Sequence, residues 1–434
     1  MANAIMPYLT KAISSDTIKN SKRTAYRLHR ILKGSKPTLD IFLRLDDPYS
    51  YLLVQIIEPF LKRFNVEAKF HTVLELQPEM FPAMDMWYQN ASRDASHLAE
   101  LYDLDFPSDE TKITDRNVLK VGTSLLLAAE SEPNFIAIAK DVFKQVWHGT
   151  FDCEDNKNTL DNSQLTKQLN DNQKLLEEKG HYFGGMINFE GEWYWGLDRL
   201  DHLEDRLIKQ GHANDIDDSV RFNLTYKDFC QKNIKDLNVN KTPFTIYWSA
   251  RSPYSYIGLE RAIQLSEYYK IPLIIKPVLP MMMRGMNVPQ VKKMYIFLDT
   301  KREADKLGLP YGYVADPLGP AVERCYSLID YARSENKLQQ FLLSFARAVN
   351  TQGIRAETDA GMKIIIERCD LNWNTAKSKI NSDHWKEEVK TNLDEMYEQG
   401  CWGVPSFRYG DTVFWGQDRI GMIEKLIQKN STHS

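Results

Sequence analysis

Residues Phe244–Ser249 alternate apolar with polar side chains and are rich in β-forming types, which predicts a strand. Pro253 then suits the first turn of a helix, where a missing N–H costs nothing and φ is already helical. Ile257, Leu259, Ile263 and Leu265 mark the buried side of that helix, which runs to about Tyr269. Leu273–Val278 is nearly all apolar and predicts a buried strand in a parallel pairing. From Val291 to Gln399 the pattern is helical, broken at Gly308, Pro310, Pro317 and Gly353. Ser406–Tyr409 and Thr412–Trp415 flank a Gly410-Asp411 turn and read as a hairpin. A last helix is predicted from Asp418 to Gln428. The order is β-α-β, a long helical insert, then β-β-α.

The same order occurs earlier in the chain: strand Asp40–Leu45, helix to Phe64, strand Glu67–Val73, insert, hairpin Ile187–Trp195, helix to Ile208. Asp47-Pro48-Tyr49-Ser50-Tyr51 corresponds to Ser252-Pro253-Tyr254-Ser255-Tyr256 at an offset of 205. Val73-Leu74 matches Val278-Leu279, and Ala99 and Leu104 match Ala304 and Leu309. Near the ends the offset becomes 220, where Trp195-Gly196-Leu197-Asp198-Arg199 parallels Trp415-Gly416-Gln417-Asp418-Arg419. A period of this length belongs to a duplicated domain, not a solenoid. The change of offset leaves about 15 extra residues inside the second copy. The fold class is α/β: two tandem thioredoxin-like domains, each with a helical insertion, at 37–209 and 242–431. A polar linker (210–241), with a short helix predicted around Tyr226–Ile234, joins them, and a basic helical arm (1–36) precedes them.

A chain of 434 residues with 43% apolar content suits two cores. A net charge of −4 gives no reason to expect nucleic acid. The charge is uneven, however. Residues 1–36 hold eight lysines and arginines against one acid, +7, which leaves −11 on the rest of the chain. The apolar positions of this head, Ile5, Leu9, Ile13, Leu28, Ile31 and Leu32, fit an arm docked on its own domain, and also a membrane-surface helix or an organelle presequence. No apolar run reaches the roughly 18 residues of a membrane span, and no secretory signal pattern is visible. Five scattered cysteines without a C-x-x-C pair suit a reducing cytoplasm. The histidines form no ligand-spaced pair, so no metal is expected.

Three motifs carry candidate chemistry: Ser252-Pro253-Tyr254-Ser255-Tyr256, Gly403-Val404-Pro405-Ser406-Phe407 and Trp415-Gly416-Gln417-Asp418-Arg419. In this order they resemble the 2-hydroxychromene-2-carboxylate isomerases, relatives of the kappa-class glutathione transferases within the DsbA-like thioredoxin superfamily. The resemblance covers about 242–431 and, more loosely, the first copy. It implies glutathione as cofactor, with Ser252 replacing the nucleophilic cysteine of the redox relatives and hydrogen-bonding the thiolate. It implies that Val404, before a cis Pro405, pairs its backbone with the cysteinyl part. Gln417 and Asp418 would hold the γ-glutamyl end. Arg284 and Asn287 are the nearest matches to a contributing Lys and Asn, at a spacing shifted by one residue. The implied reaction is thiolate addition to a conjugated double bond, rotation, and elimination, on a small hydrophobic or aromatic substrate; a transferase would stop at the addition.

The chemistry also stands on its own. A thiol of pKa ~8.5 is mostly protonated at neutral pH. A hydroxyl donor at a helix N-terminus favours the thiolate through a charge-assisted hydrogen bond and the helix dipole. Lowering the pKa by about two units requires only ~2.7 kcal/mol.

Plainer readings stand beside these. Ser252 and Asp418 also suit simple helix N-caps, and Pro405 an ordinary trans turn. Cys401 reads as a buried thiol in preference to a redox centre, and Met281-Met282-Met283 as apolar wall. In the first copy Asp47 replaces the serine and cannot donate when ionised. There Gly184-Gly185 stands in place of Val404-Pro405, and Leu197 in place of Gln417, which marks a degenerate partner. Alternatives to the enzyme are a thiol–disulfide oxidoreductase, disfavoured by the lack of a cysteine in either turn, and a noncatalytic scaffold. Two copies in one chain suggest a monomer with an internal pseudo-dimer.

Overall fold

A computed structural model describes residues 2–74, 78–107, 111–154, 162–214, 217–234 and 237–433. Its contacts divide the chain into an N-terminal unit (residues 21–227) and a C-terminal unit (residues 228–434 together with 1–20). The chain opens with α1 (Ala2–Ile13) and α2 (Asp16–Leu32). The N-terminal unit continues with β1 (Thr38–Leu43), α3 (Pro48–Lys62) and β2 (Glu67–Thr72). Its insert holds α4 (Met84–Tyr102), α5 (Arg116–Ala129), α6 (Phe135–Trp147) and α7 (Asn162–Glu178). The hairpin β3 (Met186–Phe189) and β4 (Glu192–Trp195) and helix α8 (Leu200–Lys209) complete it.

In the C-terminal unit β5 (Leu237–Asn238) precedes β6 (Phe244–Trp248), α9 (Pro253–Tyr269) and β7 (Leu273–Pro277). The insert comprises α10 (Gln290–Lys306), α11 (Pro320–Ser327), α12 (Ile329–Ser334), α13 (Leu338–Thr351), α14 (Asp359–Glu367), α15 (Trp373–Lys379) and α16 (Trp385–Glu398). Then come β8 (Ser406–Tyr409), β9 (Thr412–Trp415), α17 (Ile420–Lys429) and β10 (Thr432–His433), the last paired with β5.

Both main sheets have one topology, β2-β1-β3-β4 and β7-β6-β8-β9, with one parallel pair and two antiparallel pairs each. The register recurs as well. Ile41 pairs with Phe70 and Ile187, and Ile246 pairs with Ile275 and Phe407, which are the same offsets of 205 and 220. Every residue of β6 is buried, because it lies between β7 and β8 with helices over the sheet. Ile257, Leu259, Ile263 and Leu265 of α9 are all buried, as the apolar spacing predicts. Side chains of this size contribute roughly 1.5–3 kcal/mol each when fully buried.

Three expectations need correction. β7 is parallel to β6 but forms the sheet edge, so its apolar run is only half covered and Ile274 is exposed. No helix forms at Tyr226–Ile234. Asp228 and Cys230 adopt left-handed backbone (φ 63° and 53°), which no α-helix accommodates. Asp418 does not cap the last helix. It sits inside a 3-10 turn, Gln417–Arg419, and Arg419 occupies the cap position.

A buried glutamate holds the connecting segment in each unit. Glu204 accepts backbone N–H groups of Arg221 (2.8 Å) and Phe222 (2.9 Å) in the N-terminal unit. Glu424, at the corresponding place in the C-terminal unit, accepts the N–H of Cys230 (3.0 Å) and the Tyr269 hydroxyl (2.7 Å).

Candidate active site

Strand β6 ends at Trp248, and three residues later the chain turns into α9 with Ser252 as its N-cap. The half-buried Ser252 hydroxyl oxygen accepts the Ser255 N–H at 3.2 Å, the ordinary capping bond. Its proton is then free to donate, and it points to the Val404 carbonyl at 3.3 Å. The turn is pinned from both sides. Arg251 makes a two-pronged ion pair with Asp316 (2.7 and 2.8 Å). Tyr326 of α11 accepts the Ala250 N–H (3.1 Å) and donates to the Val278 carbonyl (2.7 Å), tying the ends of β6 and β7 to the insert. Burial raises the Tyr326 phenol above its usual range, so it remains a neutral bridge.

The Val404-Pro405 peptide is cis, and the Pro405 carbonyl accepts the Gly416 N–H at 2.9 Å. The proline ring fits against α9 because residue 258 is glycine. A Cβ on Gly258 would lie 2.9 Å from Pro405 Cγ. Gly403 has a similar reason, since a Cβ there would meet the indole of Trp415 at 2.5 Å. Gly403 stands in the second sequence motif, but Gly258 is not singled out by the sequence reading. The signal existed, a glycine inside a helix.

The remaining site residues are distributed less simply. Gln417 is buried, and its amide donates to Glu303 of α10 at 2.7 Å while Arg261 donates to its backbone carbonyl at 2.7 Å. Its side chain is therefore engaged within the protein. Asp418 is nearly buried beside Arg419. Arg284 donates to the Tyr397 hydroxyl and lies over that ring at 5.7 Å; burial lowers its pKa from the usual range. Asn287 is exposed on the loop that follows. One residue was missed altogether: Lys292, buried on α10, has its ammonium 5.6 Å from the ring centre of Trp402, two residues before Val404. Desolvation pulls Lys292 down to about 8. A lysine on an amphipathic helix gives no sequence hint of this.

Residues 244–428 match the DSBA-like thioredoxin domain family. The C-terminal half is a DsbA-like thioredoxin domain. Over 189 residues the chain is 22% identical to 2-hydroxychromene-2-carboxylate isomerase of Pseudomonas putida, a match covering 42% of this chain and 92% of the relative. A solved structure of selenomethionine 2-hydroxychromene-2-carboxylate isomerase matches at 21% identity and a TM-score of 0.38, over 43% of this chain and 95% of that one. A probable DsbA oxidoreductase from Streptomyces coelicolor matches at 15% identity and a TM-score of 0.35, over 44% and 92% of the two chains.

The DsbA-like domain holds no cysteine in its turn. Cys401 is fully buried in a core cluster with Tyr247, Val278, Met396 and Val413, consistent with a packing thiol. The corresponding turn of the N-terminal unit is filled by its own side chains. Asp47 caps α3, accepting both the N–H (2.9 Å) and the hydroxyl (2.6 Å) of Ser50. Burial, despite nearby Arg44, raises the Asp47 carboxyl above its ordinary value. Gly185, with φ +63°, passes so near that a Cβ would meet the carboxylate at 3.1 Å. Buried Arg44 lies over Trp87 (5.7 Å), and Phe183 stacks on Trp195 (5.1 Å).

Proposed function

We propose that the C-terminal domain binds glutathione and isomerises, or conjugates, a small hydrophobic or aromatic electrophile, with Ser252 activating the thiol. The observation that carries this reading is the Ser252 hydroxyl: an N-cap of a 17-residue helix whose proton rests on a carbonyl 3.3 Å away. That is longer than the ~2.7–2.8 Å usual for O–H donors, and a thiolate would be a stronger acceptor. The residues fit the thiol end of glutathione. The fit at the amino-acid end is narrower, because the Gln417 amide is committed to Glu303, leaving Asp418 and the Val404 backbone as the holders.

When bound, glutathione would supply a thiolate nucleophile able to add reversibly to a conjugated double bond. Ser252 would act as a donor without ionising, and the helix dipole would add to it. Together a charge-assisted hydrogen bond of about 1.5–3 kcal/mol and a dipole contribution of about 0.3–1 kcal/mol meet the ~2.7 kcal/mol that a two-unit shift requires. The half-buried Met281, Met282 and Met283 offer an adaptable apolar wall for a substrate. The curated relatives' name, 2-hydroxychromene-2-carboxylate isomerase, supports the reaction class. The shared register of the two sheets supports reading the N-terminal unit as a duplicate that has lost the site.

Titration calorimetry with glutathione, on the wild-type protein and Ser252→Ala between about pH 6 and 9, tests the proposal. Binding with proton release near neutrality, weakened in the variant, is expected. Absence of binding at millimolar glutathione would remove the cofactor and leave a binding scaffold.

A further inference from the structure

Helices α1 and α2 are amphipathic in an inverted sense. A surface helix ordinarily turns its apolar stripe to the core. Here α1 docks on the C-terminal unit through Pro7, Thr10 and Ser14: Pro7 is buried, Thr10 Oγ1 accepts the Val314 N–H at 3.1 Å, and Ser14 lies against Gly312. Its apolar residues Ile5, Leu9 and Ile13, spaced four apart, are exposed. Within the N-terminal unit α2 is held by charge instead. Arg23 pairs with Glu192 (2.5 and 2.8 Å), and Arg30 with Glu190 (3.0 Å). Leu32 is nine residues, two and a half turns, from Arg23, and so lies on the opposite side of the helix. Leu28, Ile31 and Leu32 are 55%, 56% and 86% exposed.

The concentration is unusual. Among the described residues, ten of the fourteen exposed large apolar side chains lie between Ile5 and Leu32, so the outward face is a regional property and not scatter. Its charge selects the occupant. No ion pair among the described residues engages Lys22, Arg27 or Lys33, which flank the Leu28–Leu32 stripe. The head carries +7 and the rest of the chain −11, so two heads brought together would repel. An anionic surface would attract the head and repel the body. We propose that the outward face of α2 binds anionic phospholipid bilayers, lying in the headgroup region with Leu28, Ile31 and Leu32 inserted and Lys22, Arg27 and Lys33 on lipid phosphates. This is peripheral binding, since no helix among the described residues is long and apolar enough to cross a membrane.

Co-sedimentation of the full chain with vesicles of phosphatidylcholine, with and without phosphatidylserine, tests this. Expected is binding to the phosphatidylserine vesicles that weakens with salt. It should fall by at least about tenfold in the triple variant Lys22→Glu/Arg27→Glu/Lys33→Glu, since each basic residue is worth about fivefold near such a surface. The triple variant Leu28→Ser/Ile31→Ser/Leu32→Ser should lose it comparably. Equal binding to both vesicle types, or binding that survives both triple variants, overturns the proposal. So does gel filtration showing a dimer abolished by the serine variant without vesicle binding, which would make a second copy the occupant.

Discussion

At the head of α9 a hydroxyl has a proton to give; at the head of α3 a carboxylate has already accepted everything within reach. The neighbours change together with the cap. At the positions related by the offsets of 205 and 220, Ser249, Gly258, Lys292, Gly403 and Pro405 in the C-terminal unit correspond to Arg44, Leu53, Trp87, Phe183 and Gly185 in the N-terminal unit. In the C-terminal unit Pro405 packs against Gly258, and the two corresponding positions of the N-terminal unit are Gly185 and the buried Leu53. The two turns thus differ at more than the capping residue. In the N-terminal unit the large side chains of Arg44, Trp87 and Phe183 occupy positions that are Ser249, Lys292 and Gly403 in the C-terminal unit, and they pack on one another and on Trp195.

The contrast is most sharply broken by Ser252→Asp, which gives the C-terminal turn the cap of its counterpart. The carboxylate still accepts the Ser255 N–H but has no proton for a thiolate. Glutathione affinity is expected to fall by at least about a hundredfold, with stability changed by no more than about 1 kcal/mol. Undiminished binding in calorimetry would mean that the hydroxyl is only a cap. Next comes Gly258→Leu, which installs the partner residue Leu53 beside a proline that the N-terminal unit lacks. With a Cβ 2.9 Å from Pro405 Cγ, urea unfolding should show a loss of about 3 kcal/mol. A neutral result would show that the ring can move aside.

Lys292 offers a pH test. Its folded value of about 8 lies below the ~10.4 of an unfolded lysine, so the unfolded chain binds more protons between those values. Wild-type stability relative to Lys292→Met should rise with pH from about 8 to 10. A flat difference would place the ammonium in water. The smallest effect is expected from Asp47→Asn. Burial raises the folded carboxyl above the unfolded ~3.9, so its contribution to stability is fully present below that pH and is lost as pH rises through the folded value. Asparagine lacks this slope, so chemical denaturation of the two proteins should diverge in the variant's favour on going from acid to neutral pH.

Much of the fold was legible in the chain itself. Element order, both hairpins and the contrast between Asp47 and Ser252 follow from local pattern and from the internal similarity, whereas the cis state of Pro405 is implied only by the family resemblance. What escaped was non-local. An apolar run cannot distinguish a central strand from an edge, so β7 was expected to be buried on both sides. Tyr226–Ile234 has helical composition, but two left-handed residues interrupt it. The pairing of Gly258 with Pro405, 147 positions apart in the sequence, exists only after folding. The inward turn of Gln417 depends on Glu303, another distant partner. The basic head illustrates the same limit: its periodicity is visible, but which side meets the protein is decided by Glu190 and Glu192.

The two glutamate straps bear on how the halves can be produced separately. Backbone N–H groups of Arg221 and Phe222 are tied to Glu204, and that of Cys230 to Glu424, so the seam of the polypeptide falls between 222 and 230. An expression boundary at Thr242 would discard a strap and leave Glu424 without a backbone partner. A boundary at Asp228 keeps it. Even so, a fragment beginning there lacks α1, which belongs to the same unit though it comes from the other end of the chain, and Gly312, Val314 and Tyr313 would be left uncovered. Supplying residues 2–14 as a separate peptide, or grafting them ahead of Asp228, is the route to a complete C-terminal half.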